Sequence, residues 1–119
     1  MVLIMSKLAN KAYDFLRNVF PFYTIIPEYY IKYKGQRLFF DFFIKELNLA
    51  IEVQGEQHYS FIKHFHEDKE GFLRSKYRDS LKEEYCQYNK IVLLYIHSET
   101  ELNKHEFLER ILNLLKDID

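Results

Sequence analysis

One stretch of this chain, residues 41–59, constrains the fold most, because it sets two acidic residues against each other within hydrophobic strands. Its sequence is DFFIKELNLAIEVQGEQHY, with hydrophobic residues alternating on both sides of residues 45–48. An alternation of period two is typical of β-strands. If residues 45–48 form the turn, residue 44 pairs with 49, 43 with 50 and 41 with 52. Asp41 and Glu52 then lie opposite each other, with Cβ atoms about 5 Å apart.

Two carboxylates in this arrangement repel each other, and like charges directly opposite each other destabilise a sheet. A shared proton, a neighbouring cation or a metal ion would offset the repulsion. The simplest cation is a Lys or Arg from a helix packed on the strands, in which case Glu52 is one half of a structural salt bridge. The residues alone leave these alternatives open.

The same alternation assigns the side chains of the first strand to two faces. Leu38, Phe40 and Phe42 are expected on one face, with Phe39 and Asp41 on the other. A strand that is hydrophobic on both faces is typical of the interior of a sheet. The strand that carries Asp41 is therefore predicted to be central.

Length and composition limit the class of protein. The chain has 119 residues, enough for one core, so residues 1–119 are predicted to form a single domain. Aromatic residues make up 18% of the chain, which favours a packed core over disorder. The net charge is −1, so any nucleic-acid site must come from local clustering of basic residues.

Cysteine usage and hydropathy indicate a soluble, cytoplasmic protein. The single Cys86 excludes an internal disulfide and fits a reducing compartment. It falls within a helical pattern, where buried packing is expected rather than a nucleophilic role. The first residues are too short for a signal-peptide core, and no hydrophobic run is long enough to cross a membrane.

The patterns along the chain predict the element order α-β-β-β-α-β-α. Ser6 is the expected N-cap of a first helix that runs to about Phe20. After three antiparallel strands, residues 56–71 show no clear period and are predicted to form a loop. A continuous hydrophobic run at residues 91–96 predicts a buried fourth strand. A fourth strand reached through a helix implies an α/β fold whose four-stranded mixed sheet is flanked by helices on both faces.

Helical periodicity predicts the inward faces of the last two helices, over residues 71–88 and 101–116. The predicted inward residues are Leu73, Tyr77, Leu81 and Tyr85 in the first, and Leu102, Phe107, Leu108, Ile111, Leu112 and Leu115 in the second.

Four stretches of the sequence, within roughly residues 6–97, resemble a known superfamily. They are LFFDFFIKELNLAIEV, GEQHY, RDSLKEEYCQYNK and IVLLYI. With the paired acids followed by Gly-x-Gln-His, they resemble the PD-(D/E)xK restriction-endonuclease-like nucleases. Within that superfamily the chain is most similar to small proteins related to very-short-patch-repair endonucleases and to phage or intron-borne homing nucleases. The resemblance implies a restriction-endonuclease-like core.

The function that the resemblance implies is a deoxyribonuclease that hydrolyses phosphodiester bonds with Mg²⁺ or Mn²⁺. It implies Asp41 and Glu52 as metal ligands, with the main-chain carbonyl of Val53 as a third. The chemistry suits these residues, because a hard cation prefers oxygen ligands, neutralises charge on the phosphate and lowers the pKa of a bound water.

This chain departs from the pattern of the superfamily in two places. The lysine of the motif is replaced by Gln54, which carries no charge, and Lys82 or Arg78 on the following helix is the expected substitute. The Glu that relatives often carry on the first helix is also missing, which leaves Asp14 or Glu28 as stand-ins.

Two other classes of function remain open. The reduced ligand set suggests a catalytically degenerate nuclease fold that acts as a DNA-binding or protein-interaction module. A glycosidase is a third hypothesis, since its two carboxyl groups can lie about 5 Å apart. It needs a broad sugar cleft, of which a short chain without Trp gives little sign.

Several polar residues follow the strand that carries Glu52. Gln57 and His58 fall where the resemblance implies active-site residues, and His58 could act as a general acid or base or bind a phosphate. A loop histidine bonded to backbone is the alternative for His58. His64 and His66 have no Cys partner and make a weak zinc set, so we expect them to be solvated. Asp79 matches an acidic position often seen in relatives, although a surface acid on a helix is the simpler interpretation.

Basic residues cluster locally, and DNA is the partner that they suggest. They are Lys32, Lys34 and Arg37 in the first hairpin, Lys63 in the loop, and Arg74, Lys76, Arg78 and Lys82 on the helix. Phosphate contacts from such groups would make DNA binding salt-dependent. One active site per chain would nick one strand, so cutting both strands would require a homodimer or two visits. The resemblance suggests a bacterial or phage-infected host cell.

Overall fold

The structure, a computed structural model, describes residues 5–55 and 69–116 and has the predicted element order. The helices are α1 (Lys7–Val19), α2 (Lys69–Tyr88) and α3 (Lys104–Leu115), and the strands are β1 (Ile25–Tyr33), β2 (Gln36–Ile44), β3 (Leu49–Val53) and β4 (Val92–Ile96). Strands β1, β2 and β3 are successively antiparallel, and β4 is parallel to β3. The α/β prediction of a four-stranded mixed sheet with three helices is confirmed.

Local sequence signals determine where the first elements begin and turn. The Ser6 hydroxyl caps α1 by accepting a hydrogen bond from the Ala9 N–H at 3.1 Å. Lys34 and Gly35 have φ angles of 50° and 76°, the left-handed pair that a two-residue hairpin turn requires. Asn48, with φ of 50°, ends a short 3₁₀ helix between β2 and β3. These turns set the register in which residue 44 pairs with 49 and 43 with 50, as predicted.

Two hydrophobic clusters pack on opposite faces of the sheet. The first joins α1 and α3 to the sheet and contains Ala12, Leu16, Phe42, Ile44, Leu49, Ile51, Val92, Leu94, Ile96, Phe107 and Ile111. The second joins α2 to the sheet and contains Ile31, Leu38, Phe40, Phe43, Ala50, Leu81 and Cys86. Helices therefore flank both faces, and the expected burial of Cys86 is confirmed.

Phe40 and Phe42 do not share a face, so the alternation predicted for β2 is wrong at this point. The Phe42 ring stacks on Tyr13 of α1, with ring centroids 5.5 Å apart. The Phe40 ring lies instead 6.4 Å from Tyr85 of α2. Both phenylalanine side chains are fully buried. Strand β2 therefore changes the face that it presents between these residues, and Asp41 lies at the change.

Interrupted strand pairing around Asp41 accounts for the change of face. Glu28 of β1 lies opposite Asp41 by register, yet these two described residues make no ladder pair. Glu28 has a φ of 48°, a left-handed conformation that is costly for a residue with a Cβ atom. On the other side of Asp41, the ladder between β2 and β3 runs from Phe42 to Ile44. A strand freed from both neighbours at one residue can rotate there.

The last two helices differ from prediction in their bounds and in some of their inward positions. Helix α2 begins at Lys69 rather than residue 71, and Leu73 and Tyr77 are exposed instead of inward. A helix of 20 residues is about 30 Å long, whereas the five-residue strands β3 and β4 span about 17 Å. Helix α2 is therefore longer than β3 and β4, and its buried residues, Leu81 and Cys86, both lie in its second half.

The last helix also begins later than predicted. A separate 3₁₀ helix spans Glu99–Glu101, and α3 starts at Lys104, capped by the Asn103 side chain. Phe107 and Ile111 are buried, but Leu112 is exposed, which contradicts its predicted inward position. Leu114 and Leu115 pack against the same core cluster as partly buried residues.

Replacing Glu28 with glycine tests its left-handed backbone. Glu28→Gly is expected to leave the free energy of unfolding unchanged or to raise it by up to about 1 kcal/mol, because glycine adopts positive φ without strain. Lys32→Gly, at an ordinary extended position in the same strand, is expected to lose about 1 kcal/mol. Urea unfolding measures both, with Glu28→Ala to separate loss of charge from relief of strain. Equal losses for the two glycine variants would contradict the assigned conformation.

The buried thiol of Cys86 predicts a specific dependence of stability on pH. Burial raises the pKa of this thiol from 9.0 to about 12. Between these values the folded chain keeps a proton that the unfolded chain loses, so the stability falls as pH rises. Relative to Cys86→Ala, the wild type is expected to lose roughly 1 kcal/mol per pH unit above pH 9. Parallel pH curves from urea unfolding of the two proteins would refute this.

Candidate active site

A row of polar residues crosses the sheet where β2 changes face. Glu28 on β1 lies opposite Asp41 on β2, and Glu52 on β3 pairs with Tyr95 on β4. The Asp41 N–H donates to Glu52 Oε1 at 3.0 Å, which joins the two halves of the row. Asp41 and Glu52 are therefore neighbours across the strands, as predicted. The hairpin turn at Lys34 and Gly35 also places Glu28 opposite Asp41. This turn is the sequence signal from which the position of Glu28 could be inferred.

The two carboxylates replace main-chain hydrogen bonds between β2 and β3. Glu52 accepts from the Asp41 N–H, and Asp41 Oδ2 accepts from the Val53 N–H at 2.7 Å. Each acid thus satisfies a donor of the opposite strand that the sheet ladder leaves unpaired. This exchange holds both side chains in the gap between the strands, with oxygen lone pairs left over for other donors or a cation.

Lys82 of α2 reaches the same gap. Its Nζ lies 2.9 Å from Glu52 Oε2, and the two side chains are only 16% and 9% exposed. The ammonium also lies 5.9 Å from the centroid of the buried Phe40 ring. Lys82 is thus the cation that the structure brings to the acids, whereas Arg78 is exposed and contacts Ser75.

Burial dominates the electrostatics of both acids. It raises the pKa of Asp41, against the lowering effects of the Val53 N–H and Lys82, and the Glu28 charge raises this pKa further. Burial likewise raises the pKa of Glu52, which the Lys82 ammonium lowers and the Asp41 charge raises. The ionised pair is therefore less stable here than in water, and a further cation would favour it.

A pocket of about 430 Å³ opens beside this row, at the carboxyl ends of β3 and β4. Gln54, whose N–H donates to the Ile96 carbonyl at 2.8 Å, lines it. The other lining residues are Lys76, Asp79, Ser80, Glu83, Tyr95 and His97. Asp79 is thus placed next to the site rather than on an unrelated surface. Sequence reasoning missed the Tyr95 hydroxyl, which donates to Glu83 at 3.1 Å, because the buried strand pattern hid it.

The predicted DNA contacts fall into distinct environments. Lys34 forms an ion pair with Glu84 of α2, and Arg74 lies 3.6 Å from Glu70 on its own helix. Arg37 is exposed on β2. The predicted DNA contact Lys63 lies outside the described residues. So do the predicted active-site residues Gln57 and His58, and the histidines His64 and His66.

The donor set for a metal consists of two carboxylates and the neighbouring main chain. Among residues 5–55 and 69–116, no group of three or more His, Cys, Asp or Glu side chains is placed to hold a metal ion. Mg²⁺ is commonly bound through only one or two carboxylates, with water and substrate phosphate as further ligands. Asp41 and Glu52 fit this pattern, and Val53 lies next to both. Asp14 is exposed on α1.

Comparisons with known proteins identify relatives but no family. No family model and no solved structure matches the chain. It is 43% identical over 56 residues to "Uncharacterized protein 307L" of Invertebrate iridescent virus 6, and 39% identical over 62 residues to "Uncharacterized protein 033L" of Invertebrate iridescent virus 3. These segments cover 47% and 52% of this chain but 28% and 32% of the relatives. The chain thus spans a third or less of the length of these relatives.

The relatives come from viruses of invertebrates, whereas the sequence suggested a bacterial or phage setting. No helix in the described part of the chain is both long and apolar enough to cross a membrane.

The ion pair between Lys82 and Glu52 predicts a large asymmetry between variants. Lys82→Met is expected to lower the free energy of unfolding by roughly 3 kcal/mol, because it leaves a buried carboxylate without a counter-charge. Adding Glu52→Gln should recover most of this loss, since the buried charge is then gone.

The measurement is urea unfolding in EDTA, with Lys34→Met as the matched control. The pair between Lys34 and Glu84 is about half exposed, so solvent screens it and its loss should cost much less than the loss of the buried pair. If Lys82→Met costs no more than Lys34→Met, the ion pair is not a buried structural contact.

Proposed function

We propose that this domain is a small metal-dependent DNA endonuclease of the PD-(D/E)xK type. The observation that carries the proposal is the meeting of Asp41, Glu52 and Lys82 in the gap between β2 and β3. The order of helices and strands and the mixed sheet are those that the resemblance implied. Two acids and a lysine in this gap restore the charges of the motif, although the lysine comes from α2 instead of from residue 54.

In this proposal Asp41 and Glu52 hold a Mg²⁺ or Mn²⁺ ion, with the Val53 carbonyl as a further ligand. The ion, when bound, polarises the phosphate and lowers the pKa of a water that attacks phosphorus. Both acids are fixed by main-chain donors, so they need little reorganisation to receive it. The pKa values of both carboxyls are raised because burial disfavours their charged forms. A bound cation offsets this cost and stabilises the ionised pair.

Lys82 and Gln54 assist in different ways. The Lys82 ammonium neutralises charge that develops on the phosphate oxygens, which requires it to turn from Glu52 when the ion binds. Its low exposure keeps it in a region of weak dielectric screening, where its charge acts strongly. Gln54 lines the adjacent pocket as a neutral donor and acceptor. Gln57 and His58 complete the proposed set as residues that follow the β3 strand.

Phosphates away from the cut bond are proposed to contact Lys34, Arg37, Lys63, Arg74 and Arg78 together with Lys82. Contacts of this kind provide affinity without sequence specificity. A homodimer would supply two active sites for cutting both strands.

A catalytically degenerate module for binding DNA or protein is the second candidate. The ion pair between Lys82 and Glu52 favours it, because this contact already neutralises one of the two acids. The shortage of further metal-binding side chains among the described residues favours it as well. Such a module would bind DNA equally well in EDTA and in Mg²⁺ and would cut in neither.

A plasmid-nicking assay with Mg²⁺, Mn²⁺ or EDTA tests the proposal. Nicking is expected in both metals and not in EDTA. Loss of a residue that only hydrogen-bonds to a metal ligand reduces activity roughly 10- to 100-fold. Asp41→Ala removes a proposed ligand itself, so it should reduce nicking by more than this. Glu109→Ala, at an exposed acid of α3 that has no proposed role in the site, should leave the rate unchanged. Absence of nicking in either metal, with DNA still bound in a gel shift, would support the degenerate module.

A further inference from the structure

The outer face of the hairpin formed by β1 and β2 carries an exposed aromatic pair. Tyr30 and Phe39 are opposite each other in the register, with ring centroids 5.3 Å apart. They are 47% and 50% exposed, although the next residue in each strand, Ile31 and Phe40, is buried. About half of each aromatic side chain thus remains available to a ligand.

Two cations occupy the next position of the same face, toward the turn. Lys32 and Arg37 pair across the strands, and both are exposed. Within the described ranges neither makes an ion pair, whereas Lys34 at the turn is paired with Glu84. Like charges directly opposite each other destabilise a sheet. Binding of an anionic group at this position would relieve that repulsion.

These rows lead along the strands toward Glu28 and Asp41, where β2 changes the face that it presents. On β2, Arg37, Phe39 and Asp41 follow at steps of two residues, each about 7 Å long. On β1, the corresponding residues follow in the same order, Lys32, Tyr30 and Glu28. A chain of alternating anionic and aromatic groups that lay along the hairpin would therefore reach Asp41 at the change of face, whereas Lys82 and the Glu52 oxygen that it contacts lie on the face that packs against α2.

We infer that this face of the hairpin binds unpaired DNA along a path that leads toward Asp41. Bases stack on Tyr30 and Phe39, and the flanking phosphates contact Lys32 and Arg37. Duplex bases are already stacked on each other and cannot use the exposed rings, whereas unpaired bases can. The inference rests on the proposed function for the fate of the DNA, and it names the class of substrate as single-stranded or locally opened.

A second copy of this chain is a less suitable occupant of the same face. In a symmetric dimer the same patch contacts itself, so the cations of both copies would be brought together. The charges of Lys32 and Arg37, which make no ion pair within the described part of the chain, thus favour an anionic polymer over self-association.

The test measures fluorescence anisotropy of a labelled oligothymidine and of a labelled duplex in EDTA, where no metal-dependent cleavage occurs. Tyr30→Ala and Phe39→Ala are each expected to weaken oligothymidine binding roughly tenfold, the order that base stacking contributes, with a smaller effect on the duplex. Phe39→Tyr should retain binding. Phe22→Ala and Tyr88→Ala remove aromatic side chains that are 93% and 83% exposed elsewhere, and they should have no effect.

Salt titrations add an independent readout. Lys32→Ala and Arg37→Ala should each reduce the steepness of the salt dependence by somewhat less than one unit of slope. Circular dichroism of each variant verifies folding.

Several outcomes would overturn the inference. One is that the wild-type protein fails to bind oligothymidine. Another is that Phe22→Ala and Tyr88→Ala weaken oligothymidine binding as much as Tyr30→Ala and Phe39→Ala do. A third is that Tyr30→Ala and Phe39→Ala weaken duplex binding more than single-strand binding. A change in sedimentation with unchanged DNA binding in Tyr30→Ala would identify a self-association surface instead. Because these experiments contain no metal, they can fail while Asp41-dependent nicking persists, and they can succeed while nicking is absent.

Discussion

The structure depends on two hydrogen bonds that the carboxylates of Asp41 and Glu52 accept from main-chain N–H groups of the facing strand. At this point β2 and β3 separate, and each strand loses main-chain partners in the middle of a hydrophobic sheet. The carboxylate of each acid accepts the N–H of the opposite strand instead. Buried donors left unpaired would cost free energy, so the acids are a structural part of the sheet as well as candidate ligands. The arrangement concentrates two negative charges where water is scarce.

That concentration of charge explains how the rest of the domain is arranged around it. Lys82 supplies the counter-charge and ties α2 to the open part of the sheet. The freedom of β2 at Asp41 lets Phe40 pack under α2 while Phe42 packs under α1, so both layers of the core are anchored on either side of one residue. The left-handed backbone of Glu28 allows β1 to follow the same change. Strain of this kind is common at functional sites.

Much of this arrangement was predictable from the sequence, and the exceptions have physical causes. The alternation of hydrophobic residues around a short turn sufficed to place Asp41 opposite Glu52, because register follows from turn geometry. The same rule failed for Phe40 because it assumes an unbroken ladder, and the break depends on backbone angles that no residue pattern encodes. Lys82 was one of two candidate cations, since a helix stripe does not reveal which residue faces the sheet. Leu73 and Tyr77 show the reverse case, a correct helical period in the first half of a helix whose buried residues all lie in its second half.

The central claim is that Asp41 and Glu52 together form a cation site in the gap between the strands. Electron paramagnetic resonance of Mn²⁺ tests it most directly, because bound and free ions give distinct signals without any need for catalysis. Mn²⁺ is titrated into the wild type, Asp41→Asn and Glu52→Gln. A short DNA oligonucleotide is present to supply phosphate ligands. The account predicts one bound ion per wild-type chain and much weaker binding in either variant. Equal Mn²⁺ binding by all three proteins, or none by the wild type, would contradict it.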